Sequence, residues 1–269
     1  VGSTWAWAVA GALRLDALVL ATFAAVAIQI ATNLWNDALD AEHGVDDGLR
    51  LGPRRATAAG WLAAGRVRLA ALGLFAAATV AGAALVAIGG VPILAIGTAA
   101  IVCGLLYSAG PVPIAATPLG ELLVLGFFGI AGVAGTVLLH GGTVSLAVLV
   151  AGVFTGLPAA AVLLVNNHRD RVSDRRSGRR TLAILLGEAG TRRLYQVLVA
   201  ATVLAPVAVR PACAVAWLAT FVLLARAAPL GWAFAAAPVD RGLNRFLVRT
   251  VGLQVLQALA LVLTLAACG

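Results

Sequence analysis

The sequence predicts an all-α protein, a polytopic transmembrane helical bundle, on the basis of three observations. Of the 269 residues, 62% are hydrophobic and 11% are charged, whereas soluble domains carry about a quarter charged residues. The mean hydropathy is +1.01. Charge-free intervals recur at about 20 residues, the length that a helix needs to cross a hydrocarbon core about 30 Å thick. We therefore expect a single domain over residues 1–269, surrounded by the lipid bilayer.

The apolar intervals predict eight full membrane-spanning helices. They are expected at residues 13–36, 66–89, 91–109, 118–140, 143–167, 191–209, 211–228 and 244–267. Residues 1–12 look like the end of an earlier span. Pro158 lies inside one predicted helix, where a proline removes a backbone hydrogen bond and favours a kink.

The arginines predict the orientation of the bundle. All 19 basic residues are arginine, and 17 of them lie near one set of helix ends, whereas Arg14 and Arg210 lie near the other. Basic residues are enriched in cytoplasmic loops, so we expect a multi-pass protein of the cell membrane whose arginine-rich face is cytoplasmic. The net charge of +8 follows from this orientation and from attraction to anionic headgroups or an anionic substrate. It indicates no nucleic-acid partner.

The three cysteines, Cys103, Cys213 and Cys268, lie singly in apolar intervals. Their spacing matches neither a metal site nor a local pair. We interpret all three as small core residues.

Acidic residues are concentrated in two places. Of the eleven Asp and Glu residues, seven lie after the first full helix or after a second helix near residue 167. These acids are Asp37, Asp40, Glu42, Asp46 and Asp47 in the first group, and Asp170 and Asp174 in the second. Both groups lie at predicted cytoplasmic helix ends, next to arginines.

Acids of each group lie on a helical stripe that begins with asparagine. A helix turns about 100° per residue, so Asn33, Asp37 and Asp40 fall within about 60° of one another. The second stripe consists of Asn166, Asp170 and Asp174, at steps of four.

The segments that follow the two stripes are also similar, since GPRRAT follows the first and GRRT follows the second. This similarity suggests two related halves, about residues 1–140 and 141–269, that face a common site. Repeats of this kind are common in membrane proteins.

Carboxylates on such stripes are suited to Mg²⁺, which takes one or two carboxylates, keeps several waters and binds substrate phosphates. The planar guanidinium groups of nearby arginines are suited to the phosphate oxygens. The sequence therefore predicts a magnesium diphosphate site at the cytoplasmic mouth of an apolar cavity. A substrate with an anionic head and a long apolar tail would fit it. The simpler alternative is that charged loops at helix ends are solvated topology signals, but burying acids and amides at a membrane boundary is costly without a ligand.

Three segments resemble the UbiA-type intramembrane prenyltransferases, most closely the MenA-like branch that prenylates 1,4-dihydroxy-2-naphthoate. They are NLWNDALDAEHGVDDGLRLGPRRAT, GLLYSAGPVPIAATPLGELLVLGFFG and VNNHRDRVSDRRSGRRTLAILLG, and the later LNRFLVRTVGLQVL is similar too. The resemblance implies a nine-helix bundle, of which most of the first helix is expected to be missing at the amino end. It also implies two aspartate-rich motifs that bind polyprenyl diphosphate through Mg²⁺.

The resemblance assigns roles to residues at matching positions. The first motif falls on Asn33, Asn36, Asp37 and Asp40, and the second on Asn166, Asn167, Asp170 and Asp174. The general family pattern has an aspartate where this chain has Gly44, whereas the MenA-like branch has glycine there and an aspartate at the position of Asp46. The implied metal ligands are Asp37, Asp40, Asp46, Asp170 and Asp174. The implied diphosphate-binding arginines are Arg54, Arg55, Arg179 and Arg180.

The implied reaction begins with loss of diphosphate, whose charge magnesium and the arginines neutralise. The allylic chain becomes carbocation-like and is attacked by the naphthoate ring. Carbon dioxide leaves the same ring position, which gives a demethylmenaquinone.

Four further side chains need interpretation, and two of them, Tyr107 and Glu121, have two interpretations each. Tyr107, in YSAGPVP, matches a family tyrosine that could contact the diphosphate or the cation, or it is an interfacial aromatic. Glu121, in PLGEL, is either an acid on the acceptor side or a structural residue. His43 and His168 flank the motifs and are interpreted as bystanders.

Other functions compete with this one. The acceptor could be homogentisate, 4-hydroxybenzoate or a lipid glycerol, although VNNHRD and GPRRAT favour the naphthoate branch. A transporter or Mg²⁺ channel would place ionisable groups near the membrane midplane, whereas these acids cluster at one face. A lipid phosphatase would need a framed nucleophile, and the three histidines provide none.

Overall fold

The structure is a computed structural model that describes residues 1–11, 13–44 and 51–269, and these residues form helices without any β-strand. The helices are α1 (Gly2–Ala10), α2 (Leu15–Glu42), α3 (Ala64–Leu106), α4 (Gly120–Leu139), α5 (Leu146–Arg169), α6 (Arg171–Arg176), α7 (Leu182–Val203), α8 (Ala205–Val209), α9 (Ala214–Ala236) and α10 (Asn244–Cys268). Within these ranges, six helices are long and apolar enough to cross a membrane: α2, α3, α4, α5, α9 and α10. The predicted all-α membrane bundle is confirmed.

Helix α3 consists of two helices joined at Gly90. This glycine has φ 66° and ψ −153°, outside the range of an L-residue in a helix, and Pro92 follows it. The chain reverses direction there. The reversal brings Gly104 next to Phe75, since a Cβ atom at Gly104 would lie 3.1 Å from Cε1 of Phe75. In an uninterrupted helix these positions would be about 43 Å apart. The predicted boundary between the second and third spans is therefore confirmed.

Other helix boundaries also differ from the prediction, and the span expected at 191–209 is divided at Leu204 between α7 and α8. Helix α2 continues to Glu42 and α9 to Ala236, both beyond the expected ends at 36 and 228. Helix α7 begins nine residues before the expected 191, with a break at Gly187, where φ is 67°. Asp37 lies inside α2 and Glu188 inside α7 without ending the helix, and α9 continues through Pro229. Helical backbone satisfies its own hydrogen bonds whether or not the side chains face lipid.

The largest core cluster lies between α5, α7, α9 and α10. Tyr195 of α7 and Phe234 of α9 stack there at 4.0 Å between ring centroids, and the Tyr195 hydroxyl shares a 2.7 Å hydrogen bond with Thr250 of α10. A second cluster joins α1, α4, α5, α8 and α10, and a third joins α2, α3 and α4. The outer faces carry many exposed Leu and Val side chains, as expected where helices meet lipid.

Helices α4 and α5 cross at glycines. The middle of α4, Leu125–Ala131, is a π-helix. A Cβ atom at Gly156 would lie 2.6 Å from the carbonyl oxygen of Leu125, and one at Gly129 would overlap the carbonyl oxygen of Gly152. Small residues at a crossing let two membrane helices approach closely. This crossing fixes the position of α4 against α5, which carries the second acidic stripe.

Two of the three cysteines form a disulfide, so their interpretation as separate core residues is wrong. Cys213 precedes α9 and Cys268 ends α10, and their Cα atoms are 6.1 Å apart although 55 residues separate them in sequence. Arg210 strengthens this end of the bundle, because it donates to the Cys268 carbonyl and lies over the Trp5 ring at 5.1 Å. Cys103 is a free, half-buried cysteine.

The glycine crossing predicts a position-dependent effect of added methyl groups. We expect Gly156→Ala to destabilise the protein by about 1–3 kcal/mol, because the new Cβ meets the α4 backbone. Gly126→Ala is the matched control, since a Cβ at Gly126 has no atom within 4 Å. Thermal unfolding in detergent measures both, and equal melting temperatures for the two variants would contradict the close crossing.

Candidate active site

One pocket brings the two acidic stripes together. The end of α2, the end of α5 with the turn that follows it, and the short helix α6 supply its acids and amides, and the segments after α2, α3 and α6 complete its wall. The lining residues are Asn36, Asp40, Arg55, Tyr107, Ala115, Asn166, Asn167, Asp170, Ser173, Asp174 and Arg179. The pocket therefore brings Asp40 of the first stripe together with all three residues of the second, but Asn33 and Asp37 do not line it.

Arg179 joins the two stripes directly. Its Nη2 donates to Oδ1 of Asp40 at 2.8 Å and its Nη1 donates to Oδ1 of Asp174 at 3.3 Å. Gly178, with φ 77°, turns the chain just before it, and the Arg179 amide donates to the Asp174 carbonyl at 3.0 Å. Burial lowers the pKa of Arg179, but the carboxylates of Asp40 and Asp174 outweigh burial, so that the pKa lies above its ordinary value. The guanidinium therefore stays charged between two carboxylates from opposite halves of the chain.

The first stripe is held by a second arginine. Arg55 forms an ion pair with Asp40 and donates to Oδ1 of Asn36 at 2.6 Å. Asn36 in turn donates to Oγ of Ser108 at 2.8 Å, which ties α2 to the loop after α3. Asp40 is thus contacted by two arginines, and only 6% of its surface is exposed.

The second stripe is held by Arg169, a residue that the sequence patterns did not assign to the site. Its side chain is 1% exposed and donates to both carboxylate oxygens of Asp170, at 3.0 and 2.6 Å. It also donates to Oδ1 of Asn166 at 2.6 Å and to Oδ1 of Asn244 at 2.6 Å. The only feature of the sequence that could have identified Arg169 was its place within VNNHRD. A helical projection does not show which acid an arginine contacts.

The two halves repeat one arrangement. In each, an asparagine and an aspartate four residues later accept hydrogen bonds from one guanidinium: Asn36 and Asp40 from Arg55, and Asn166 and Asp170 from Arg169. The arginine comes from the loop after the helix in the first half and from the helix itself in the second.

Tyr107 and Glu121 lie beside the second stripe. Burial, with a smaller contribution from the charge of Glu121, raises the pKa of Tyr107 to about 12. The tyrosine hydroxyl is therefore protonated at neutral pH and is available as a hydrogen-bond donor. Glu121 is 5% exposed, and its Oε1 accepts a 2.9 Å hydrogen bond from Nδ2 of Asn167.

Several predicted residues lie away from this pocket. Asn33, Arg54 and Arg180 are exposed and do not line it, although the Arg180 amide donates to the Ala116 carbonyl at 2.7 Å. Asp37 is buried and accepts a hydrogen bond from the Thr57 hydroxyl. Asp46 lies outside the described residues.

The flanking histidines differ in environment. His43 is exposed at the end of α2. His168 is 1% exposed, packs against Phe234 with ring centroids 5.5 Å apart, and has no hydrogen-bond partner for its ring nitrogens among the described residues. Neither lines the pocket.

The donor set of the pocket suits a hard cation shared with a phosphate ligand. Within residues 1–11, 13–44 and 51–269, no three His, Cys, Asp or Glu side chains are grouped closely enough to hold a metal ion by themselves. Asp40 and Asp174, however, meet at one guanidinium, with the amide side chains of Asn36 and Asn166 in the same pocket. Mg²⁺ takes one or two carboxylates and completes its shell with water and phosphate oxygens, so these residues fit a magnesium ion that arrives with a diphosphate.

The buried Arg169–Asp170 pair predicts a strong stability effect. Arg169→Ala leaves the Asp170 carboxylate buried without its bidentate partner, and we expect a loss of about 3–5 kcal/mol. Arg176→Ala, at an exposed position six residues after Asp170, is the control and is expected to change stability by less than about 0.5 kcal/mol. Unfolding in detergent measures the stability of both variants. Similar stabilities would show that Arg169 does not stabilise the buried Asp170 carboxylate.

The chain is similar in sequence to known proteins. The model of the UbiA prenyltransferase family matches residues 1–247. A 1,4-dihydroxy-2-naphthoate octaprenyltransferase of Mycobacterium leprae is 37% identical over 205 residues, which is 75% of this chain and 69% of that protein. The Escherichia coli protein of the same name is 35% identical over 201 residues, covering 72% and 65%.

The fold is similar to that of a solved structure as well. A UbiA homologue from Archaeoglobus fulgidus, bound to DMAPP and Mg²⁺, superposes with a TM-score of 0.64 at 14% identity, covering 96% of this chain and 94% of that one. Together with the membrane-spanning helices and the two converging acidic stripes, the family match leads to one conclusion. The chain belongs to the UbiA prenyltransferase family and is a multi-pass membrane prenyltransferase.

Proposed function

We propose that the protein transfers a polyprenyl chain from polyprenyl diphosphate to 1,4-dihydroxy-2-naphthoate, with loss of carbon dioxide, and so makes demethylmenaquinone in menaquinone biosynthesis. The observation that carries this proposal is the meeting of Asp40 and Asp174 at Arg179. Carboxylates from the two halves and a guanidinium together provide ligands for both a metal ion and a diphosphate.

Magnesium is the proposed cofactor. Asp40 and Asp174 would hold it together with the diphosphate oxygens, and Asp37 and Asp170 would complete the acidic surroundings of the site. When bound, the ion neutralises charge on the departing diphosphate. The Archaeoglobus fulgidus homologue has both DMAPP and Mg²⁺ bound, which supports this combination.

The arginines of the pocket are proposed to bind the diphosphate. Arg55 and Arg179 each contact Asp40 and line the pocket, so both guanidinium groups are within reach of an anion placed there. A guanidinium forms paired hydrogen bonds with phosphate oxygens, and these strengthen as charge develops on the leaving group. Arg54 and Arg180 are exposed and do not line the pocket, so they would add only longer-range positive potential.

Tyr107 is proposed to donate a hydrogen bond inside the pocket. Its pKa of about 12 keeps the hydroxyl protonated, and a neutral donor stabilises an anionic oxygen without a second positive charge. The apolar helices around the prenyl chain would exclude water from the allylic cation, so that the aromatic ring is the nucleophile that captures it.

The acceptor assignment rests on relatives. Five related proteins with 30–37% identity bear the name 1,4-dihydroxy-2-naphthoate octaprenyltransferase. An electron-rich dihydroxynaphthoate is a chemically suitable nucleophile for an allylic cation. Homogentisate and 4-hydroxybenzoate are the competing acceptors, and an assay with each acceptor distinguishes them.

The active site is proposed to face the cytoplasm of the cell. Asn244, at the start of α10, contacts Arg169 beside the pocket. Helix α10 is 25 residues long, and Cys268 lies at its other end. The Cys213–Cys268 disulfide is therefore at the opposite end of the bundle. Disulfides persist in oxidising compartments, which supports the same orientation as the arginine distribution.

The direct test uses the purified chain in nanodiscs with radiolabelled polyprenyl diphosphate and 1,4-dihydroxy-2-naphthoate. We expect prenylated naphthoquinol, carbon dioxide and pyrophosphate in equal amounts, and loss of all three when Mg²⁺ is chelated. Product from homogentisate or 4-hydroxybenzoate alone would overturn the acceptor assignment. Undiminished turnover in excess chelator would overturn the role of magnesium.

Variants of the pocket carboxylates test the site. Asp40→Asn and Asp174→Asn keep side-chain size but weaken metal and arginine binding, and each is expected to lower kcat about 100-fold or more. Glu42→Gln is the control, because Glu42 lies on α2 but pairs with Arg68 on the surface at 3.2 Å. It should keep activity within about twofold. Wild-type activity in either pocket variant would remove that carboxylate from the site.

A further inference from the structure

Glu121 is a buried carboxylate that has no role in the proposed binding of the metal or the diphosphate. It lies in the first turn of α4 and is 5% exposed. Its Oε1 accepts from Asn167, while its Oε2 is buried and has no hydrogen-bond partner among the described residues. Leaving one carboxylate oxygen buried and unpaired is costly. An ionisable group inside a membrane bundle therefore points to a ligand.

The partners of Glu121 differ from those of the acids in the pocket. Asp40, Asp170 and Asp174 each contact an arginine. The contact described for Glu121 is with the amide of Asn167. A carboxylate whose partner is a neutral amide is suited to a neutral hydrogen-bond donor such as a hydroxyl. It is less suited to the metal and diphosphate charges that the arginine-paired acids surround.

The position of Glu121 is close to the reacting end of the pocket. Asn167, which donates to it, lines the pocket between Asn166 and the Asp170 turn. Tyr107 is also near, because a Cβ at Gly120, the residue before Glu121, would be 4.0 Å from the Tyr107 hydroxyl oxygen. Glu121 itself is not among the residues that line the pocket, but Asn167 and Tyr107 are.

The glycine crossing holds Glu121 in this place. Gly129 of α4 and Gly152 and Gly156 of α5 bring the two backbones into contact, one to two turns beyond Glu121 along α4. Helix α4 is thereby fixed in register with the helix that carries Asn167. A carboxylate held this firmly is preorganised for a ligand group in one position.

We propose that Glu121 is the catalytic residue that binds the hydroxyl of the aromatic acceptor through Oε2 and accepts its proton as the ring attacks. This inference rests on the proposed function. The ligand class is a hydroxyarene with a hydroxyl adjacent to the ring carbon that is prenylated. The diphosphate, in contrast, binds among the arginines of the pocket, and Glu121 lies behind the pocket residue Asn167.

The proton inventory balances over the reaction. The hydroxyl proton moves to Glu121 while the ring carbon bonds to C1 of the prenyl chain, and the C1–oxygen bond breaks with its electron pair on the diphosphate. The bond from the ring to the carboxylate then breaks, carbon dioxide leaves, and the electron pair returns to the ring and its oxygen. Glu121 gives the proton back to that oxygen. The enzyme is unchanged at the end, and the products are the hydroquinol, carbon dioxide and diphosphate.

The test compares Glu121→Gln with the parent chain in nanodiscs. Glutamine keeps the volume and its carbonyl still accepts from Asn167, so a merely structural role is preserved, but it accepts no proton. We expect kcat to fall about 10²- to 10⁴-fold, the range of general-base catalysis. Magnesium-dependent binding of a non-reactive prenyl thiolodiphosphate should change less than twofold. Glu188→Gln, at a surface carboxylate paired with Arg192, is the control and should keep full activity.

Binding of the acceptor provides a readout that needs no turnover. The parent should bind 1,4-dihydroxy-2-naphthoate at least tenfold more tightly than its 1-methyl ether, since the ether has no hydroxyl to donate to Glu121. Glu121→Gln should bind the two within about twofold of each other. Equal discrimination by parent and variant, or a kcat within threefold of the parent, would overturn the inference.

The experiments distinguish an error in the proposed function from an error in the role of Glu121. If the parent prenylates no aromatic acceptor, the proposed reaction is wrong whatever Glu121 does. If the parent prenylates the naphthoate and Glu121→Gln does so equally well, only the role of Glu121 is wrong. A parallel loss of thiolodiphosphate binding in Glu121→Gln would assign the residue to the diphosphate side and would also overturn the inference.

Discussion

The site depends on one electrostatic constraint: carboxylates from two distant parts of the chain are brought close together at the end of a membrane bundle. Like charges so placed repel one another unless cations lie between them. Arg179 lies between Asp40 and Asp174, while Arg55 and Arg169 each hold an aspartate and an asparagine of one half. The protein's own guanidinium groups thus hold acids of the two stripes in one pocket. On binding, a magnesium diphosphate would replace some of these arginine–carboxylate contacts.

The apolar part of the structure serves to hold that network in place. The reversal at Gly90 lets the two parts of α3 lie side by side, and the crossing of Gly129 with Gly152 fixes α4 on α5. At the opposite end, the Cys213–Cys268 disulfide ties α9 to α10. Hydrophobic association between helices is weak in lipid, so close packing of small residues and polar contacts must provide the specificity. The repeated use of one arginine across an Asn and an Asp four residues later supports the proposal of two related halves, about residues 1–140 and 141–269.

Sequence patterns predicted the parts of this protein that depend on local periodicity. Apolar intervals located most of the helices, and the first stripe supplied Asp40 to the pocket, although Asp37 of the same stripe does not line it. Tertiary contacts were not accessible in this way. Cys213 and Cys268 are 55 residues apart and are joined only because α9 and α10 lie side by side. Arg169 likewise looked like one more arginine of the cytoplasmic face, since its burial and its bonds to Asn244 depend on how α5 packs against α10.

The convergence of the two halves on a single metal diphosphate is tested most directly by spectroscopy of Mn²⁺ substituted for Mg²⁺. The measurement is electron-nuclear double resonance on the chain in nanodiscs, with a non-reactive prenyl thiolodiphosphate as the phosphorus source. We predict ³¹P coupling to bound Mn²⁺ in the parent, and loss of that coupled signal in both Asp40→Asn, from the first half, and Asp174→Asn, from the second. Bound Mn²⁺ without phosphorus coupling, or a signal that survives in one of the two variants, would contradict a shared site.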